Sequence, residues 1–184
     1  MKVCRVRSLV LVALAVAAVV FAASPAGAHV EVVPGSAPRG SSAILSFNVP
    51  NEEPGANTVK LEVDLPAKYP IPSVSTQPMP GWTVAVEKTT LAKPVTTDDG
   101  QVTQAVTKIT WTATDGGLKP GEFDLFTISA GPLPTNTSKL LFKAIQTYSD
   151  GSVVSWIEPT LKGTPEPEHP APVLTLTRAR RTSG

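Results

Sequence analysis

Thr58-Val59-Lys60-Leu61-Glu62-Val63-Asp64-Leu65 is the stretch that decides the fold class. Its apolar residues Val59, Leu61, Val63 and Leu65 alternate with Lys60, Glu62 and Asp64, the period-two pattern of a strand with one buried face. Working outward, further strand-like runs rich in Val, Thr, Ile and Phe occupy Val30 to Val33, Ser42 to Val49, Trp82 to Lys88, Val102 to Thr112, Glu122 to Ser129, Lys139 to Tyr148, Ser152 to Ile157 and Val173 to Thr177. Nineteen prolines and 13 glycines punctuate the chain, which suits many short strands joined by turns. Asp99-Gly100, Asp115-Gly116-Gly117 and Ser149-Asp150-Gly151 offer residues that tolerate positive φ between such runs, so Tyr148 to Val153 reads as a hairpin. No helical stripe exceeds two turns. The expected fold is therefore all-β, an antiparallel two-sheet sandwich of about seven to nine strands, and its size and strand spacing suggest an immunoglobulin-like topology.

The two ends read differently from the middle. Lys2, Arg5 and Arg7 precede an apolar run from Leu9 to Ala23, and Ser24-Pro25-Ala26-Gly27-Ala28 follows with small residues at the −3 and −1 positions of a cleavage site. Residues 1–28 are thus expected to be a secretory signal that is removed, because the run is shorter than the roughly 20 apolar residues of a membrane-spanning helix. Cleavage would leave 156 of the 184 residues, beginning at His29, enough for one domain with a real core. The lone cysteine, Cys4, would leave with the signal, so neither a disulfide nor a thiolate ligand is expected. With three basic residues gone, 13 basic and 15 acidic side chains remain, a net charge of about −2 that argues against nucleic-acid binding. Residues 29–162 form the expected domain and 163–172 a Pro-rich connector carrying Glu166, Glu168 and His169. Residues 173–177 read as a final strand and 178–184 as a basic polar tail, with no membrane span in the mature chain.

An N-terminal histidine can do what an internal one cannot. Its free amine and its imidazole Nδ1 close one chelate ring on a metal, and both are nitrogen donors of the kind copper(II) favours in tetragonal sites. The reference pKa values, about 7.7–8.0 and 6.5, let copper displace both protons near neutrality. By composition alone, a solvated histidine is the stronger reading of His29. The other histidine of the mature chain, His169, falls in the connector, where nothing rigid is expected to hold it near His29. Met79, between Pro78 and Pro80, reads as packing, as do Trp82 and Trp111.

His29-Val30-Glu31-Val32-Val33-Pro34, Val49-Pro50-Asn51-Glu52, Pro80-Gly81-Trp82, Ile109-Thr110-Trp111, Gly121-Glu122-Phe123 and Gln146-Thr147-Tyr148-Ser149-Asp150-Gly151 with Trp156 together resemble the YcnI-like family of bacterial exported copper-binding proteins. Six motifs in order, spanning His29 to Trp156, make the resemblance specific. It implies an immunoglobulin or fibronectin type sandwich and a copper(II) site with a single N-terminal histidine. In that family the histidine binds through amine and ring, a glutamate adds a carboxylate, and a late tryptophan lies against the metal. The matching positions here are His29, Glu52 and Trp156. From the residues themselves, Glu31 and Glu158 are rival carboxylates, and Trp156, alternating with Val154, also reads as core.

These readings converge on an extracytoplasmic copper(II) chaperone or scavenger, not an enzyme, that passes its ion to an exported or membrane copper-handling protein. A copper-dependent oxidative enzyme and a metal-free cell-surface module are the alternatives.

Overall fold

The computed structural model describes residues 29–97 and 100–178; the expected signal, the turn residues 98–99 and the end of the tail lie outside the described residues. Among the described residues, twelve strands form three sheets. The first sheet joins β1 (Glu31–Val33), β3 (Ala43–Pro50), β8 (Phe123–Gly131) and β5 (Ser73–Thr76) in the order β1-β3-β8-β5. The second joins β4 (Thr58–Asp64), β6 (Trp82–Thr97), β7 (Gly100–Ala113), β10 (Lys143–Tyr148) and β11 (Val153–Trp156) in the order β11-β10-β4-β7-β6. A small third sheet, β2-β12-β9, uses β2 (Ser36–Pro38), β12 (Val173–Thr177) and β9 (Lys139–Leu141). All pairings are antiparallel except β2 with β12.

Alternation builds the core. On β3, Leu45, Phe47 and Val49 are fully buried while Ile44 faces solvent, and on β4 Leu61 and Val63 point inward opposite the charged Glu62 and Asp64. Each such buried aliphatic or aromatic side chain contributes about 1.5–3 kcal/mol relative to exposure. Phe126 of β8 meets Trp111 of β7 at 5.5 Å and Trp82 of β6 at 4.9 Å, both edge to face, which locks the first sheet onto the second. Phe47 and Phe142 make the same kind of contact at 5.3 Å.

The strand count exceeds the expected seven to nine for identifiable reasons. Ser36–Pro38 and Ser73–Thr76 are too short, and too close to prolines, to show a period. The run Lys139 to Tyr148 is one stretch in sequence but two strands in space. Phe142 breaks it: its amide donates to the Pro172 carbonyl at 2.9 Å, and the chain passes there from β12 to β4 as its partner. The β6–β7 hairpin runs past the expected end at Lys88, with its ladder interrupted between Thr90 and Val95, where Pro94 lacks an amide donor.

One departure sits inside the deciding stretch. Val59 is only half-buried, because a β-bulge against β10 between Thr147 and Tyr148 leaves it without a Cα partner and turns Thr58 inward, fully buried. The neighbouring turn reinforces this: Gly117, at φ 73°, lies so near the Thr58 carbonyl that a Cβ there would collide with it. Among the described residues no helix is long and apolar enough to cross a membrane.

Candidate metal centre

Strand pairing brings the ends of two motifs together. β1 runs antiparallel to β3 with Glu31 opposite Asn48 and Val32 opposite Phe47. The pairing ends at Glu31 and Asn48; His29 precedes β1 by two residues, and Glu52 follows the end of β3 by two. The loop that carries Glu52 is fixed by the buried Asn51. Its side-chain amide donates to the carbonyls of Ala56 at 2.8 Å and Leu118 at 2.9 Å, and its Oδ1 accepts from the Glu53 amide at 2.9 Å. Its backbone amide donates to the Glu122 carbonyl at 2.9 Å. Glu52 itself is exposed. The carboxylates of Glu53 and Glu52 help to raise the Tyr148 hydroxyl above its usual range, although burial is the larger cause.

Trp156 ends β11 and packs inward, opposite Ala144 in register. Its indole N–H donates to Gln146 Oε1 at 3.1 Å, and Gln146 Nε2 donates to the Pro50 carbonyl at 3.0 Å and to Thr58 Oγ1 at 2.8 Å. One fully buried glutamine thus spends both amide protons and its oxygen tying the tryptophan to the end of β3 and to the inward-turned Thr58. The imidazole of His29 lies against this fixed indole, ring centroids 5.7 Å apart and tilted by 57°.

The Pro-rich segment differs from the loose connector expected of it. It folds back onto the same edge. The His169 ring sits 5.2 Å from the Trp156 ring, so two imidazoles lie near one indole. The His169 amide donates to Glu158 Oε1 at 3.2 Å, the Glu158 amide donates back to the His169 carbonyl at 3.1 Å, and the Ala171 amide donates to the Glu158 carbonyl at 2.8 Å. Two bases of rigidity were invisible locally: these bonds, which make the Glu158–Pro170 bridge, and the pairing of β12 with β2 and β9. Glu166 places Oε1 3.8 Å from His29 Nδ1.

Of the residues singled out in the sequence, the structure brings His29 against Trp156 and sets Glu52 on a braced loop after the strand that pairs with β1. Of the rival carboxylates, Glu31 is exposed and shares a groove of about 380 Å³ with His29 and Glu166. The other rival, Glu158, is engaged by the His169 amide. Met79 and Trp82 pack on the core and Trp111 is fully inside it. Sequence reasoning passed over Gln146, Asn51 and Glu166 as site residues, and set His169 aside as lying in a loose connector. For Gln146 a signal existed, since it occupies an inward position between Ala144 and Tyr148, where a polar side chain must find partners.

Among the described residues, no three His, Cys, Asp or Glu side chains gather as a metal cluster. A metal held here would have to draw on backbone nitrogen as well as side chains.

The family profile described as Domain of unknown function (DUF1775) matches residues 29–176 and so begins at His29. The chain is similar to the Copper-binding protein CutI of Bacillus subtilis (strain 168), 30% identical over 168 residues that cover 91% of this chain and 72% of that protein. A solved structure from Nocardia farcinica, described as an uncharacterized protein with an immunoglobulin-like fold, is 40% identical and superposes with a TM-score of 0.65 over 80% of this chain and 97% of that one. That likeness meets the fold expectation directly. Because the profile spans the sandwich from its first described residue into β12, the chain belongs to the DUF1775 family of YcnI-like proteins.

Proposed function

We propose that this chain, once its leader is removed after Ala28, is an extracytoplasmic copper(II)-binding protein that acts as a chaperone or scavenger. The observation that carries the reading is the seating of His29 against Trp156, at the very position where the family profile begins. The name of the Bacillus relative supports copper as the cargo.

The donor set suits the cupric ion. A new α-amine at His29 and its Nδ1 supply two nitrogens in one chelate ring, and Glu52 supplies a carboxylate oxygen; these are borderline and hard donors that favour copper(II) over the reduced ion. The 26% exposure of the His29 side chain leaves the ring reachable while the indole shields one side. Trp156 lowers the local dielectric and keeps water from that side, and Gln146 holds it there. A site with only one imidazole keeps positions open, so ligands of an exported or membrane copper-handling partner can displace its donors one at a time.

The test is isothermal titration of copper(II) into protein starting at His29, beside a version with one extra residue ahead of it. Tight binding by the first and far weaker binding by the second is expected. Equal binding by the two defeats the assignment of the amine.

A further inference from the structure

We infer that Glu166, delivered by the Pro-rich segment, is a second carboxylate ligand of the copper ion, binding beside His29 Nδ1. This rests on the N-terminal histidine reading above and extends it to a part of the chain that carries none of the family motifs.

The argument is geometric first. In the proposed chelate, Nδ1 of His29 is the ring atom that meets the metal, and Glu166 Oε1 lies 3.8 Å from that atom. Metal bonds of about 2.0–2.2 Å put donors at right angles about 3 Å apart and donors on opposite sides about 4 Å apart. The observed spacing falls between these values, so a small adjustment of an exposed side chain places the oxygen on the ion. Glu166 is 64% exposed, so it meets the metal without a large desolvation cost.

The segment is built to hold Glu166 there. Pro165 and Pro167 flank it and restrict the backbone on both sides. Upstream, Thr164 closes a turn through its hydroxyl to the Leu161 carbonyl at 3.0 Å. Downstream, the Glu158–His169 bonds and the buried Pro170, Ala171 and Pro172 pin the strap to the body. Little backbone freedom is left to lose on binding, which favours affinity.

The experiment compares wild type, Glu166→Gln and Glu168→Gln, each starting at His29, with the extended N-terminus version as reference. Copper(II) affinity and the copper(II) EPR spectrum are read at low salt and in about 0.5 M of a non-coordinating salt, which screens through-space charge effects. Loss of Glu166 is expected to weaken binding about tenfold or more in both salts and to shift the EPR parameters, while Glu168→Gln behaves as wild type. Wild-type affinity and spectrum in Glu166→Gln would overturn the ligand assignment and leave the histidine reading standing. An equal, salt-sensitive loss in both glutamate variants would also overturn it, as a general charge effect. If the extended version binds as well as wild type, the histidine reading falls and this inference falls with it.

Discussion

Replacing Gln146 by leucine keeps the volume of a fully buried side chain and removes the three hydrogen bonds, of 3.1, 3.0 and 2.8 Å, that join Trp156, Pro50 and Thr58. At about 0.5–1.5 kcal/mol per bond, and with the Trp156 N–H and the Thr58 hydroxyl left without their partner, the loss should come to about 2–4 kcal/mol. For a domain of this size that corresponds to a fall in Tm of about 5–15 °C. Urea unfolding of the protein starting at His29, followed by circular dichroism and tryptophan fluorescence, measures it. Trp156→Phe removes the indole donor together with part of the ring, and because the donor bonds Gln146 the double variant should be less destabilised than the sum of the two, with a coupling of about 1 kcal/mol. A Gln146→Leu protein within about 0.5 kcal/mol of wild type, or strict additivity with Trp156→Phe, would refute the view that this glutamine ties the site to the sandwich.

Gly117→Ala should destabilise far more than Gly151→Ala: both sit at positive φ, 73° and 87°, but a Cβ at 117 collides with the Thr58 carbonyl and one at 151 meets open space. Melting temperatures of the two variants check this, and a Gly151 cost of about 1 kcal/mol is the reference. Glu62 donates nothing but accepts from Lys60, and that hydrogen bond, with the charges of Lys60 and Lys108, holds its carboxyl below the ordinary 4.5. A lowered folded-state pKa stabilises above the unfolded value and loses that stabilisation as pH falls through the folded one. Stability should therefore decline below about pH 4.5. Glu62→Gln should cost about 0.5–1 kcal/mol at neutral pH and flatten that acid decline in urea titrations. Trp156→Phe should weaken copper(II) binding while leaving the dependence on a free His29 amine intact, which titration of the extended and unextended forms of the variant would read.

The fold class was legible because burial on one face writes a period of two into the sequence. Leu45, Phe47 and Val49, or Leu61 and Val63, announce their strands without help from the rest of the chain. Turn glycines were legible for the same local reason, since Gly116, Gly117 and Gly151 do take positive φ. Strands of three or four residues left no such trace. Ser36–Pro38 is a strand only because β12 arrives beside it in parallel, from almost 140 residues away in sequence. The break at Phe142 is likewise a consequence of two different neighbours, β12 and β4, claiming the two halves of one apolar run.

The candidate site divides along the same line. His29, Glu52 and Trp156 could be put forward as candidates from the sequence because motif order, and the amine that cleavage after Ala28 would free, belong to the chain itself. That Gln146 braces the indole, that the Pro-rich segment returns to the same edge, and that Glu166 faces His29 Nδ1 were decided only by tertiary structure. Periodicity and composition record what a residue does to its near neighbours. A hydrogen bond between Gln146 and Pro50, or the approach of Glu166 to the His29 ring, joins positions that only the closed sandwich brings within reach.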